Sequence, residues 1–188
     1  KIMKDSAWLL SHSDNITSQF GEDGIIRKIL EIIPDKDNWC VEFGSWDGKT
    51  CSNTYNLISS KDYSAVLIEG SSKKFKDLLE TFKDNSKIVC INKFIGLEQH
   101  NNLDSILGET AIPANFDLLS IDIDGNDYHI WESVKKYQPK VVVIEYNPTI
   151  PNEVEFVQPK DMFLNQGSSI LSTTKLANIK GYELISAT

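Results

Sequence analysis

The sequence predicts an α/β fold in which a mostly parallel sheet is covered by helices on both faces. Short apolar runs alternate along the chain with segments whose apolar residues recur every three or four positions. Most of the short runs are apolar at consecutive positions, as strands buried on both faces require. The run Trp39 to Phe43 stops at Gly44 and turns again at Gly48, a strand end of the kind that lets a ligand approach the backbone closely. At 188 residues with 40% hydrophobic content the chain fits one globular domain, 1–188. We expect it to be truncated at both ends, because it opens on Lys1 and stops directly after an apolar run.

The elements follow in order. Ser18-Gln19-Phe20-Gly21-Glu22-Asp23 precedes Ile25, Ile26, Ile29, Leu30 and Ile33, whose spacing marks one face of a helix that Pro34 closes. Strand and helix periods then take turns: strand 39–43, helix 52–60, strand 65–69, helix 71–82, strand 88–92 and helix 101–107. The second half continues with strand 118–123, helix 127–136, strand 140–146, helix 168–180 and strand 182–187. Between Asn147 and Gly167 lies a Pro-bearing connection with no clear period. Connections of that length in compact domains often serve as lids or binding loops.

Composition narrows the function. A formal charge of −8 argues against a sequence-independent grip on nucleic acid, which depends on clustered cations. Apolar runs such as Val141 to Ile144 fall far short of the roughly 20 residues that cross a bilayer, and the N-terminus lacks a signal-peptide layout. Cys40, Cys51 and Cys90 form no C-x-x-C pair, which suits a reducing compartment. A soluble, cytoplasmic protein without a nucleic-acid or membrane partner is expected; oligomeric state is not encoded in any motif.

In an open parallel sheet, ligands bind beyond the carboxyl ends of the strands. Gly44, Glu69, Asn92, Asp122, Asp124 and Glu145 all fall at such ends. The spacing from the Gly44/Gly48 turn to Glu69 matches the separation of about 20 residues between glycine turn and ribose-binding acid in nucleoside sites. The turn is not G-x-G-x-x-G, so a dinucleotide is disfavoured. A ligand with adenosine but no phosphates would still need the backbone approach and the carboxylate, and could use Glu42 or Asp47 to meet a positive charge. S-adenosylmethionine fits that description. Along an extended strand Ser120, Asp122 and Asp124 share one face. The two acids then serve as a general base toward an acceptor hydroxyl, or with Glu145 hold a hard divalent ion such as Mg²⁺, or merely shape a turn capped by Asp127. His129, at the start of the following helix, is a further candidate base.

The stretches S-Q-F-G-E-D, V-E-F-G-S-W-D-G-K-T, L-I-E-G, I-D-I-D-G-N-D and V-V-V-I-E-Y-N-P together resemble the class I S-adenosylmethionine-dependent methyltransferases, and within them the FkbM-like group. The resemblance implies a Rossmann-like three-layer sandwich. It implies that Glu42, Gly44, Ser45 and Gly48 hold the methionine part of S-adenosylmethionine, that Glu69 holds the ribose hydroxyls, and that Asn92 and Lys93 are candidates to line the adenine; Asp47 and Gly70 are further candidate cofactor contacts. Gln19 and Glu22 would approach from beneath the first strand, and Asp122 counts among the cofactor contacts as well as the catalytic groups. Many relatives carry glycine where Trp46 stands, and the FkbM-like group tends to show Lys-x-Asp where this chain has Asp122-Ile123-Asp124. The activity expected is transfer of a methyl group to a hydroxyl of a small molecule or carbohydrate. Two alternatives stay open: a metal-dependent glycosyltransferase-like enzyme using Asp122-x-Asp124, and a non-catalytic scaffold on a nucleotide-type fold.

Overall fold

A computed structural model describes residues 7–188. Five strands form one parallel sheet in the order β3-β2-β1-β4-β5: β1 Trp39–Phe43, β2 Ser64–Ile68, β3 Ile88–Ile91, β4 Leu118–Ile121 and β5 Val141–Ile144. The helices are α1 Glu22–Ile32, α2 Tyr55–Lys61, α3 Ser72–Phe82, α4 Leu103–Leu107, α5 Asp127–Ser133 and α6 Ile170–Ile179. The fold is a Rossmann-like α/β sandwich, a parallel sheet with helices on both faces.

Strand alternation divides the core into two halves. Val41, Phe43, Val66, Ile68, Leu119 and Ile121 point to the face covered by α4, α5 and α6, through Ile106, Ile130, Trp131 and Leu176. Cys40, Ala65, Leu67 and Leu118 point to the opposite face, covered by α1, α2 and α3 through Ile26, Leu30, Leu57, Ile58, Leu78 and Phe82. Each fully buried side chain such as Leu67 or Leu119 contributes about 1.5–3 kcal/mol over an exposed one. β4 is buried along its whole length, whereas β3 and β5, at the sheet edges, are only partly covered. The order turns back between β1 and β4, and such a switch point opens a crevice at the strands' carboxyl ends.

Several boundaries differ from the sequence expectation for local chemical reasons. The second helix begins at Tyr55 because Ser52, Asn53 and Thr54 are engaged with Glu42. β4 ends at Ile121 because Asp127 takes the Ile123 N–H, which removes it from the ladder. α5 stops at Ser133, and the Asp104 carboxylate accepts the N–H groups of Lys135 and Lys136 beyond it. No strand forms over 182–187. The Tyr182 hydroxyl instead donates to the Pro139 carbonyl, and its ring sits 5.6 Å from that of Trp131, so the tail lies against α5. A 3-10 helix over Trp8–His12 precedes the first predicted helix.

Candidate active site at the strand carboxyl ends

The turn after β1 is built from three left-handed residues: Gly44 at φ +74°, Trp46 at +47° and Gly48 at +73°. A β-carbon on Gly44 would lie 2.1 Å from the Asp122 carbonyl oxygen, so only glycine lets β1 and β4 meet this closely at the switch point. A β-carbon on Gly48 would meet Phe82 and Leu78 of α3. Trp46 has no such freedom, and the left-handed conformation costs a bulky residue about 1–2 kcal/mol. Ser45 is buried and turned inward, where its hydroxyl donates to the Glu42 carbonyl at 2.7 Å and accepts from the Ile68 N–H at 3.2 Å. Asp47 folds back on its own turn. Burial alone would raise its pKa, but the N–H groups of Thr50 and Lys49 and the Thr50 hydroxyl outweigh that and hold it below the usual carboxylate range.

Glu69 ties this turn to the next strand. Its carboxylate accepts from the Trp46 N–H at 2.9 Å and from the Ser71 N–H at 2.6 Å, bridging the ends of β1 and β2. An ionised carboxylate offers about four acceptor positions, so two remain for a diol. Gly70 follows, and a β-carbon there would press into the Phe94 ring, which is 76% exposed beyond β3. The Asn92 amide donates to the carbonyls of Glu69 and Gly70 and accepts from the Ser72 hydroxyl, so it fastens the end of β2 to the end of β3. Lys93 pairs with Glu109. Phe94 was missed by sequence reasoning, because a lone aromatic after a strand reads as core.

Glu42 faces away from the turn. Its oxygens accept from Ser52 Oγ at 2.6 Å, Asn53 N at 2.8 Å and Thr54 Oγ1 at 2.8 Å. Burial raises its pKa; these donors work against that, and repulsion from Asp122 adds to it. Gln19 is exposed in a loop organised by Asp23, one of whose oxygens accepts the N–H groups of Ile16, Thr17 and Ser18. Thr17 then donates to the Ser52 carbonyl, which ties the loop to the β1–α2 connection.

The acids after β4 and β5 converge by a turn and not by the pleat. Asp124 adopts φ +58°, and Asp127 accepts from the N–H groups of Ile123 and Gly125 at 2.9 and 2.8 Å. One oxygen from each of Asp122, Asp124 and Glu145 then lies within 4.8 Å of the others. All three reach solvent, yet burial of Asp122 and Glu145 against the protein strips hydration from their charged forms, and repulsion from Asp127 and from one another adds to the effect. Together these push Asp122 up to about 6 and Glu145 up to about 7. Oxygen donors of this kind also suit a hard divalent ion.

Residues 97–170, which include β4, the acid turn, β5 and the following connection, match the family model of the methyltransferase FkbM domain. The match covers the second half of the sheet and less than half of the chain. The glycine turn and Glu69 lie outside the matched segment. Among solved structures, the chain is similar to a SAM-dependent methyltransferase from Aquifex aeolicus, at 11% identity over 95% of this chain and 88% of that one, TM-score 0.46. It is also similar to the N-terminal domain of EvdMO1 with SAH bound, at 11% identity, 72% and 50% coverage and TM-score 0.43. A fibrillarin/Nop5p complex shares 21% identity over 56% of this chain and 48% of that one, TM-score 0.38. The chain thus spans about half the length of the last two. No curated protein matches it.

The segment from Asn147 to Gly167 walls the acid cluster. Asp124, Glu145, Tyr146, Asn147, Asn165 and Gln166 face a cleft of about 420 Å³. Gln158 is the buried template of that wall: its amide donates to the Leu164 carbonyl and accepts the N–H groups of Gln166 and Gly167. His129 is buried beneath it, with Nε2 2.7 Å from the Gln158 carbonyl, so its ring anchors the wall and does not open onto the cleft. A second recess, about 350 Å³ and lined by Leu79, Phe82 and Ile88, lies on the far edge of the sheet, away from the acid cluster. Among the described residues no helix is long and apolar enough to cross a membrane.

Proposed function

We propose that this chain transfers the methyl group of S-adenosylmethionine to a hydroxyl oxygen of a small molecule or carbohydrate. The observation that carries the reading is the Glu69 bridge, a buried carboxylate held by the N–H groups of the glycine turn and of the β2–α3 turn, with acceptor capacity left for a ribose diol. The adenosine then lies across the ends of β1 and β2, and the sulfonium lies toward Asp122, where concentrated negative charge favours a cation. In the reaction the acceptor oxygen forms the new C–O bond as the S–C bond breaks, the bonding pair departs to sulfur, and the hydroxyl proton passes to a carboxylate. Asp122 and Glu145, raised toward neutrality, suit that proton. The remaining contribution is positioning and exclusion of water.

A sugar nucleotide, the ligand of the glycosyltransferase alternative, would set its diphosphate against Asp122, Asp124 and Glu145, which repel it unless a cation intervenes. Calorimetric titration of the folded chain with S-adenosylhomocysteine and with UDP-glucose separates the readings. Saturable heat with the first and none with the second is expected. The reverse would transfer the site to glycosyl chemistry, and silence with both would leave a scaffold.

A further inference from the structure

Within Gly44 to Gly48, Trp46 is the residue whose side chain opposes its backbone conformation. A φ of +47° suits glycine, and glycine would supply the same N–H to Glu69 without strain. The indole therefore serves something other than the shape of the turn. It is not core material, since the residue is 44% exposed. Its orientation is fixed by Lys74, in the first turn of α3, whose ammonium sits 4.8 Å from the ring centroid. A cation at that end of a helix runs against the helix dipole, and the ring offsets part of this cost. Lys74 belongs to the element that follows β2, so the ring's cationic partner comes from the same strand end as Glu69, which accepts the Trp46 N–H.

We propose that the Trp46 indole, braced by Lys74, is a cofactor-contacting wall that closes against the ribose edge of the nucleoside held by Glu69. The inference rests on the adenosine reading above and adds a specific contact to it. One face of the ring is taken by the ammonium; the rest of its surface is apolar area beside a carboxylate that presents the sugar. A contact at the ribose has a distinctive consequence: it acts equally on every ligand that carries adenosine, whatever is attached at the 5′ position.

The test is calorimetry of the parent chain, Trp46→Gly, Trp46→Phe and Lys74→Met with S-adenosylhomocysteine and with 5′-methylthioadenosine, beside thermal melts of each. Trp46→Gly should lose about five- to tenfold in affinity for both compounds alike, while melting no lower than the parent because the strain is gone. Trp46→Phe should recover most of the affinity, and Lys74→Met should fall between. Trp46→Asn, which tolerates the left-handed region, replaces the glycine variant if that does not fold. Parental affinity in Trp46→Gly, or a loss confined to S-adenosylhomocysteine, would overturn the contact. So would a loss that Trp46→Phe leaves unrepaired alongside a lowered melt. A parent chain that binds neither compound would instead strike the adenosine reading itself.

Discussion

At the residue scale, Glu69 carries two duties, tying the turns after β1 and β2 together and offering acceptors to a ribose. Replacing it with alanine would strand the N–H groups of Trp46 and Ser71 as well as remove the ribose ligand. Stability and affinity would then fall together. Glu69→Gln keeps one acceptor oxygen and close to the same shape, but turns its NH2 against the other N–H, so it strands one of the two donors where alanine strands both. It should weaken S-adenosylhomocysteine binding by about 1–3 kcal/mol in calorimetry, the range for losing charged hydrogen bonds, and lower the melt by less than Glu69→Ala does. An unchanged affinity would reject the ribose role. The N–H groups of Trp46 and Ser71 converge on this carboxylate, so its charge decides whether the crevice is a ligand site or a strand-end staple.

At the element scale, the strands were legible because β1, β2 and β4 are buried on both faces, which forces consecutive apolar residues, and because Gly44 and Gly48 punctuate the first of them. What the period could not reveal was how β4 ends. Asp127 reads in the sequence as a helix cap, and it is the hydrogen bonds it accepts from Ile123 and Gly125 that stop the strand and swing Asp124 beside Asp122. The same blindness hid Asp23, Gln158 and the role of His129, since bonds to loop backbone leave no periodic trace. The apolar residues after Gly181 misled for the opposite reason: they look like a strand, but Tyr182 is drawn to Pro139 and Trp131. The acid cluster is thus a product of three element ends, and its task can be tested there. On the proton-accepting reading, millimolar magnesium chloride or EDTA should leave the melting temperature unchanged. A rise with magnesium that disappears in Asp124→Asn would instead assign the cluster a divalent ion.

At the scale of the whole molecule, the gathered carboxylates set how stability responds to pH. Asp122 moves from 3.8 up to about 6 and Glu145 from 4.5 up to about 7, so between roughly pH 4 and 7 the folded chain binds more protons than the unfolded chain. Stability rises with pH only where the unfolded state binds more protons, so here its slope is negative. The contribution of these groups is complete below their unfolded values and is lost as pH climbs through the folded ones. Glu42 and Asp127, also raised by burial, add in the same sense. Asp117, buried at the other end of β4, is held low by Lys140 and by the N–H and hydroxyl donors of Asp37, Asn38 and Tyr63 once these overcome its own burial. Its stabilisation fades only as pH falls below the ordinary aspartate range, and it therefore stays constant between pH 5 and 8. The parent chain should melt higher at pH 5 than at pH 8. Because Asp122 and Glu145 reach solvent, screening limits the difference they make to a few degrees. Glu145→Gln should melt above the parent at pH 8 and level with it at pH 5. A variant that gains nothing at pH 8 would show that the crowded charge at this mouth is already relieved by water, and would remove the reason to expect a proton-accepting carboxylate there near neutral pH.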